Sequence, residues 1–354
     1  MADSPAEVIS GALTRLGRYF SLVSLLPASL LCVSVFLIKE SRAWAGRPKI
    51  ADALQSLESW PAPKLGTLIV VSFVVALFLH PLQFATTQLL EGYWGPSRVA
   101  IRGAEIKIRA HRRRHRRLAD EADARSVSWR NVCDTAFRDR YYVSGLPADD
   151  PSTWSAELRK ENDAALLDSQ AGDRAIADYV AEQQLLRYLS SYPVDGRRIM
   201  PTRLGNVLRR MEESAGTQYG LRAIGVAPHL SQVSDAASLG YLDDARQEMD
   251  TSIRLCLTSA ILTLLVASAT LTDGWWLLLT LAPYALGRIA YSGCIAAATE
   301  FGSAYTTMLD LNRFALYERL RLQKPTDTQT ERLANKGLMA LLDGDRTVVL
   351  PYQI

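Results

Sequence analysis

The stretch that decides the fold is Leu65 to Leu90, LGTLIVVSFVVALFLHPLQFATTQLL, which carries no charge apart from what His80 can take up. Crossing the hydrocarbon core of a bilayer takes roughly 20 apolar residues in a helix. Three further blocks share this character: Phe20 to Ile38, Leu255 to Thr272, and Gly274 to Thr299, the last interrupted only by Arg288. Inside lipid the backbone must satisfy its own hydrogen bonds, so such blocks are read as helices. Soluble helices rarely stay uncharged on every face over this length.

The composition of the whole chain hides this division. Its 354 residues are 48% hydrophobic and 22% charged, as in an ordinary globular protein, but the apolar residues sit in the four blocks and the charges between them. The expected fold is therefore an all-α membrane protein: four transmembrane helices with a mostly helical cytoplasmic domain between the second and third spans. The boundaries read as a tail at 1–19, a transmembrane hairpin at 20–90, a cytoplasmic domain at 91–252, a second hairpin at 253–299 and C-terminal helices at 300–354. The first block is no cleaved signal peptide: its apolar core is too long, and no small-residue cleavage pattern follows Ile38.

Four spans put both termini and the middle segment on one side. Lys and Arg near membrane ends favour the cytoplasm. The loop from Lys39 to Lys64 is basic and argues the other way, but Arg98, Arg102 and Lys107 after the second span, Arg246 and Arg254 before the third, and Arg313 to Lys324 after the fourth place that side in the cytoplasm. Trp275 and Trp276 then fall at the outer interface.

The middle segment reads as helices at Thr153 to Gln170, at Gly172 to Tyr192 with Ile176, Tyr179, Val180, Leu185, Leu186 and Leu189 on one apolar face, and from Thr202 onward. The third and fourth spans read as continuing into the cytoplasm, to Pro325 in the second case. Trp94 to Arg117 admits a helix or, at Glu105 to Arg109, a strand-like alternation. The tail closes with a short helix and an extended arm, RTVVLPYQI.

From Arg98 to Arg117 there are nine Lys or Arg against one acid, Glu105, whereas Ala119 to Asp250 holds fifteen against twenty-two acids. Three readings fit the run Arg112, Arg113, Arg114, Arg116 and Arg117. It docks on its own or a neighbouring acidic domain, it remains a solvated helix, or it contacts anionic lipid at roughly 1 kcal/mol per charge. Nucleic acid is a poor partner, since no reader motif or aromatic platform accompanies the run. His111 and His115 are spaced as metal ligands can be, but the surrounding arginines repel a cation, so no metal site is expected.

Arg288 is the one clear charge inside a span and is by default a functional candidate, lining a pore or pairing with a carboxylate. The alternative is that its stem reaches the inner headgroups. His80 and Glu300 are its candidate partners. Without G-x-S-x-G, H-E-x-x-H, a P-loop or a dinucleotide fingerprint, catalysis and cofactors are not expected. Cys32, Cys256 and Cys294 lie in apolar blocks, and no C-x-x-C occurs.

The stretch YPVDGRRIMPTRLGNVLRRMEESAGTQYGL, Tyr192 to Leu221, resembles a segment of uncharacterised actinobacterial multi-pass membrane proteins that share Pro-Thr-Arg-Leu-Gly-Asn, here Pro201 to Asn206, followed by a Tyr-Gly pair, here Tyr219 and Gly220. Leu311 to Leu333 resembles their region after the last span. The resemblance implies a bacterial inner membrane and supplies no activity. Arg203 and Asn206, three apart, are candidates for binding a carboxylate, a phosphate or a neighbouring loop. The expected function is a non-enzymatic, homo-oligomeric, channel-like assembly gated by its cytoplasmic domain; the alternative is a membrane-anchored adaptor that recruits a cytoplasmic protein.

Overall fold

The structure, a computed structural model, describes residues 22–44, 46–58, 60–144 and 170–353. The expected tail at 1–19 and the helix expected over Thr153 to Gln170 lie outside the described residues, apart from Gln170 itself. Among the described residues the secondary structure is helical, and the only β pairing is an isolated bridge between Leu322 and Tyr352. The chain divides into two compact units, one formed by Met1–Gly95 with Met211–Ile354, the other by Pro96–Arg210. Residues 211–252 thus pack with the chain ends rather than with the rest of the middle segment.

In the first unit, α1 (Leu22–Glu40) runs through Pro27, and a short α2 (Ile50–Glu58) follows in the loop, where the sequence suggested no helix. Helix α3 (Ala62–Glu91) starts with proline in its first turn, where a missing N–H costs nothing. It ends at Gly92, whose N–H bonds the carbonyls of Gln88 and Leu89 and whose left-handed φ of 104° turns the Tyr93 N–H back to the Gln88 carbonyl. The 18-residue apolar window of α3 is only 11% buried, and Ile69, Phe78 and Phe84 stand exposed on different sides of the helix. An apolar surface of this extent is out of place against water. Two helices are long and apolar enough to cross a membrane, over Pro63–Glu91 and Ala236–Thr270.

Downstream come α7 (Ala223–Val233), α8 (Ala236–Thr270), α9 (Leu281–Arg319) and α10 (Thr328–Leu342). Asp235 caps α8 by accepting from the Ser238 N–H and hydroxyl. Those bonds, with the Asn312 side chain, hold its carboxyl down to about 2. The fourth apolar block is not one helix. Gly274–Thr280 forms a 3-10 turn carrying both tryptophans, and α9 begins only at Leu281.

Helix α8 packs on α1, α3 and α9. Its seam with α9 is lined by small residues: a Cβ on Gly287 would meet the Ser259 Cβ at 3.2 Å, and Cys256 Sγ approaches the Gly287 carbonyl at 3.9 Å. Close backbone approach through small residues is how helices associate where lipid removes the hydrophobic drive. Beyond the apolar block both helices continue. Leu309, Leu316 and Tyr317 of α9 then form a core with Val226, Leu230 and Leu338. Burial pushes the Tyr305 and Tyr317 phenols up to about 12.

The second unit is built on α4 (Arg98–Ser144), a single helix of 47 residues and so about 70 Å long at 1.5 Å per residue. This settles the arm at Trp94 to Arg117 as helix from Arg98 onward. Helix α5 (Gln170–Leu189) lies along it, and α6 (Arg203–Ser214) follows, buried through Leu204, Asn206 and Val207.

Candidate functional site

On α4 the residues 111, 115, 118, 122, 125 and 129 alternate in steps of four and three, and on α5 and its extension so do 175, 178, 182, 185, 189 and 192. That is the spacing of a coiled-coil seam. His111 meets Tyr192 and Arg125 meets Asp178, so the two helices run antiparallel. The face expected for α5 is corrected accordingly. Leu185 and Leu189 turn inward, but Ile176, Tyr179, Val180 and Leu186 are exposed, and Asp178 and Glu182 take the seam instead.

The seam is polar at both ends. Asp178 accepts from Arg125 Nη1 at 2.6 Å and from Ser128 Oγ at 2.8 Å, and these bonds hold its carboxyl below the usual range. Trp129 Nε1 donates to Glu182 at 2.6 Å while its ring stands edge-on to Tyr179 at 5.6 Å. Buried polar pairs of this kind set register and add little to stability. Leu118, Ala122, Ala175, Leu185 and Leu189 occupy the remaining seam positions, Ala122 and Ala175 being buried.

At the other end Tyr192, 6% exposed, sits under the arginine run. His111 Nδ1 lies 3.1 Å from its hydroxyl, and the His115 ring stands edge-on to it at 5.2 Å. His111 and His115, within the run, thus contact Tyr192 of the same unit. Arg112, Arg113, Arg114, Arg116 and Arg117 are exposed and carry no ion pair among the described residues. Burial lowers the His111 pKa, and Arg114, Arg203 and Lys107 lower it further. Burial raises the Tyr192 phenol against the opposing pull of Arg114 and Arg203.

Arg203 and Asn206 do not act as a pair. Asn206, 1% exposed, accepts from the Met200 N–H at 2.8 Å and donates to the carbonyls of Met200 and Thr202 at 3.1 and 2.7 Å. Its side chain is spent on closing the turn ahead of α6. Arg203 is exposed, and the turn that Asn206 fixes delivers it to the His111 and Tyr192 neighbourhood.

The intramembrane candidates are not brought together. Arg288 and His80 are exposed, and no hydrogen bond or ion pair among the described residues joins Arg288 to His80 or Glu300. Glu300 instead accepts from the Tyr241 hydroxyl. A different arginine, Arg254, makes the polar contact between α8 and α3, through Nε to Gln83 Oε1 at 2.8 Å. Arg288 belongs to an exposed polar line on α9 with Tyr284, Ser292, Thr299 and Ser303, on the side away from the small-residue seam. The hydroxyls of Ser292, Thr299 and Ser303 each donate to the carbonyl four residues earlier.

The Tyr219 and Gly220 pair packs onto the end of the other stretch that carries the resemblance, at Arg332, and onto Asn335 just beyond it. Asn335 donates to the Tyr219 carbonyl at 2.8 Å, Arg332 Nε to that of Gln218 at 2.8 Å, and Tyr317 to Asn335 at 2.5 Å. Sequence reasoning missed this joint and the Tyr192 cluster, because each joins elements far apart in the chain. The alternating four and three spacing on α4 was the available signal for the cluster. No family model, curated protein or solved structure matches the chain. Among the described residues no group of His, Cys, Asp and Glu is placed to hold a metal.

Proposed function

We propose that this chain is a non-enzymatic multi-pass protein of a bacterial inner membrane, with four membrane-crossing helices and both termini cytoplasmic, that assembles with copies of itself into a channel-like path. The observation that carries this reading is the polar line Tyr284, Arg288, Ser292 and Thr299 on the open side of α9. In a lone subunit that line would face lipid, where a guanidinium is costly; around a shared axis it would face water. Helices α8 and α9, each continuous from the apolar block into the α7 and α10 core, link the path to the cytoplasmic side. The likeness to actinobacterial multi-pass proteins supports the topology alone. Chloride and potassium flux through liposomes holding the purified protein tests the reading, together with the Arg288→Ala variant. Flux that falls or changes selectivity in the variant supports it; no flux, or equal flux in both forms, rejects it.

A second reading, a membrane-anchored adaptor for a cytoplasmic protein, is favoured by the hairpin of α4 and α5. That hairpin displays arginines on one helix and Ile176 and Val180 on the other. A stoichiometric soluble partner together with a monomeric membrane part would select this reading over the first.

A further inference from the structure

We infer that the junction of α4, Tyr192 and the start of α6 is a binding site for a phosphate dianion, with Lys107, Arg114 and Arg203 as its charged grip and His111, His115 and Tyr192 as its floor. This inference does not depend on whether the spans conduct.

The placement is fixed from three sides. Lys107, His111, Arg114 and His115 stand at intervals of three and four on α4 and so share one face. Tyr192, at the end of α5, is held under that face by the His111 contact of 3.1 Å and the His115 ring at 5.2 Å. Arg203 arrives from α6, whose first turn is locked by the Thr202 hydroxyl on the Gly205 N–H at 3.1 Å and by the Asn206 bonds to Met200. Each of these anchors is a part-buried contact.

The resulting site is cationic without compensation. Every charge acting on His111 is positive, and among the described residues Lys107, Arg114 and Arg203 have no ion-pair partner. Of the acids on neighbouring elements, Glu105 pairs with Arg109, Asp195 with Arg197 and Asp178 with Arg125. Like charges on rigid helices repel unless an anion shares them. A carboxylate offers two oxygens and one charge, too few for three cations and two imidazoles. A phosphate monoester or pyrophosphate offers more oxygens and at least two charges, and guanidinium forks match its geometry. The floor is partly buried while the grip is open, so the ligand enters from outside the seam. The same chemistry is carried by a soluble phosphate compound and by a phosphomonoester headgroup such as that of phosphatidic acid.

The test uses the full-length protein in nanodiscs. Pyrophosphate is titrated into neutral phosphatidylcholine discs, and separately the discs are made with phosphatidic acid. Binding is read by calorimetry in the first arm, and in both arms by the pH titration of the His111 NMR signals, which an anion beside Lys107, Arg114, Arg203 and His115 moves to a higher pKa. A response to pyrophosphate in neutral discs identifies a soluble ligand; a response only with phosphatidic acid identifies a headgroup.

The double variant Arg114→Gln with Arg203→Gln is expected to lose the His111 response and to bind at least about tenfold more weakly. Arg112→Gln with Arg116→Gln, which removes equal charge from the opposite side of α4, is expected to stay near wild type. Melting without ligand separates binding from folding, because the first variant, relieved of repulsion, is expected to melt no lower than wild type. Equal weakening in both variants would reduce the site to diffuse attraction and overturn the inference. So would a His111 titration unmoved in both arms.

Discussion

Arg313 and Glu331, eighteen residues apart, meet Nε to Oε1 at 2.8 Å, and the same guanidinium lies 4.0 Å over the ring of Tyr219. Glu331 is buried, so removing it strands a charge. Glu331→Ala is expected to cost about 3–5 kcal/mol. Thermal unfolding of the purified protein in detergent checks this; an unchanged melting temperature would show that the pair does not hold α9 to α10.

Asn206 and Arg203 separate cleanly under mutation. Asn206→Ala gives up the bonds to Met200 and Thr202 and leaves buried backbone groups unpaired, at an expected cost of about 2–3 kcal/mol. Arg203→Ala, an exposed change, is expected to stay within about 0.5 kcal/mol. Denaturant melts of the two variants, side by side, are the measurement; similar losses would contradict this division of roles.

Gly220 holds φ at +76°, and a Cβ there would stand 3.0 Å from the Arg332 carbonyl oxygen. Left-handed backbone alone costs an L-residue about 1–2 kcal/mol. Gly220→Ala is therefore expected to loosen the joint between Tyr219 and α10, visible as faster amide exchange at Gln218, Arg332 and Asn335. Wild-type exchange at these amides would count against the joint.

Stability of the hairpin should fall in two steps as pH drops. His111 has a lowered pKa when folded, so below the ordinary 6.5 the unfolded chain binds more protons and unfolding gains. Asp178 is also lowered, so its contribution is present above the ordinary 3.8 and lost as pH falls through the folded value. Melting in phosphate-free buffer from pH 7.5 to pH 5 should decline in wild type and less in His111→Gln. Identical slopes would remove His111 from the account.

The proposed topology makes Trp44 external and Val194 cytoplasmic, and both side chains are exposed. In a chain freed of native cysteines, Trp44→Cys is expected to react with an impermeant maleimide on intact cells. Val194→Cys should react only after lysis. The reverse pattern would invert the orientation.

The sequence by itself determined that the chain is mostly helical and strongly segregated, because uncharged runs such as Leu65 to Leu90 are local properties of helix geometry. What only the tertiary structure decided was which charge meets which. Asn206 proved to be spent on Met200, Asp178 displaced Val180 from the seam, Arg254 rather than Arg288 reached across to another helix, and His111 met Tyr192 while the arginines beside it stayed exposed. Apart from the Asn206 bonds, which reach six residues back, those outcomes depend on contacts between residues 53 to 171 positions apart. No local pattern encodes such pairings, since they follow from how rigid helices cross.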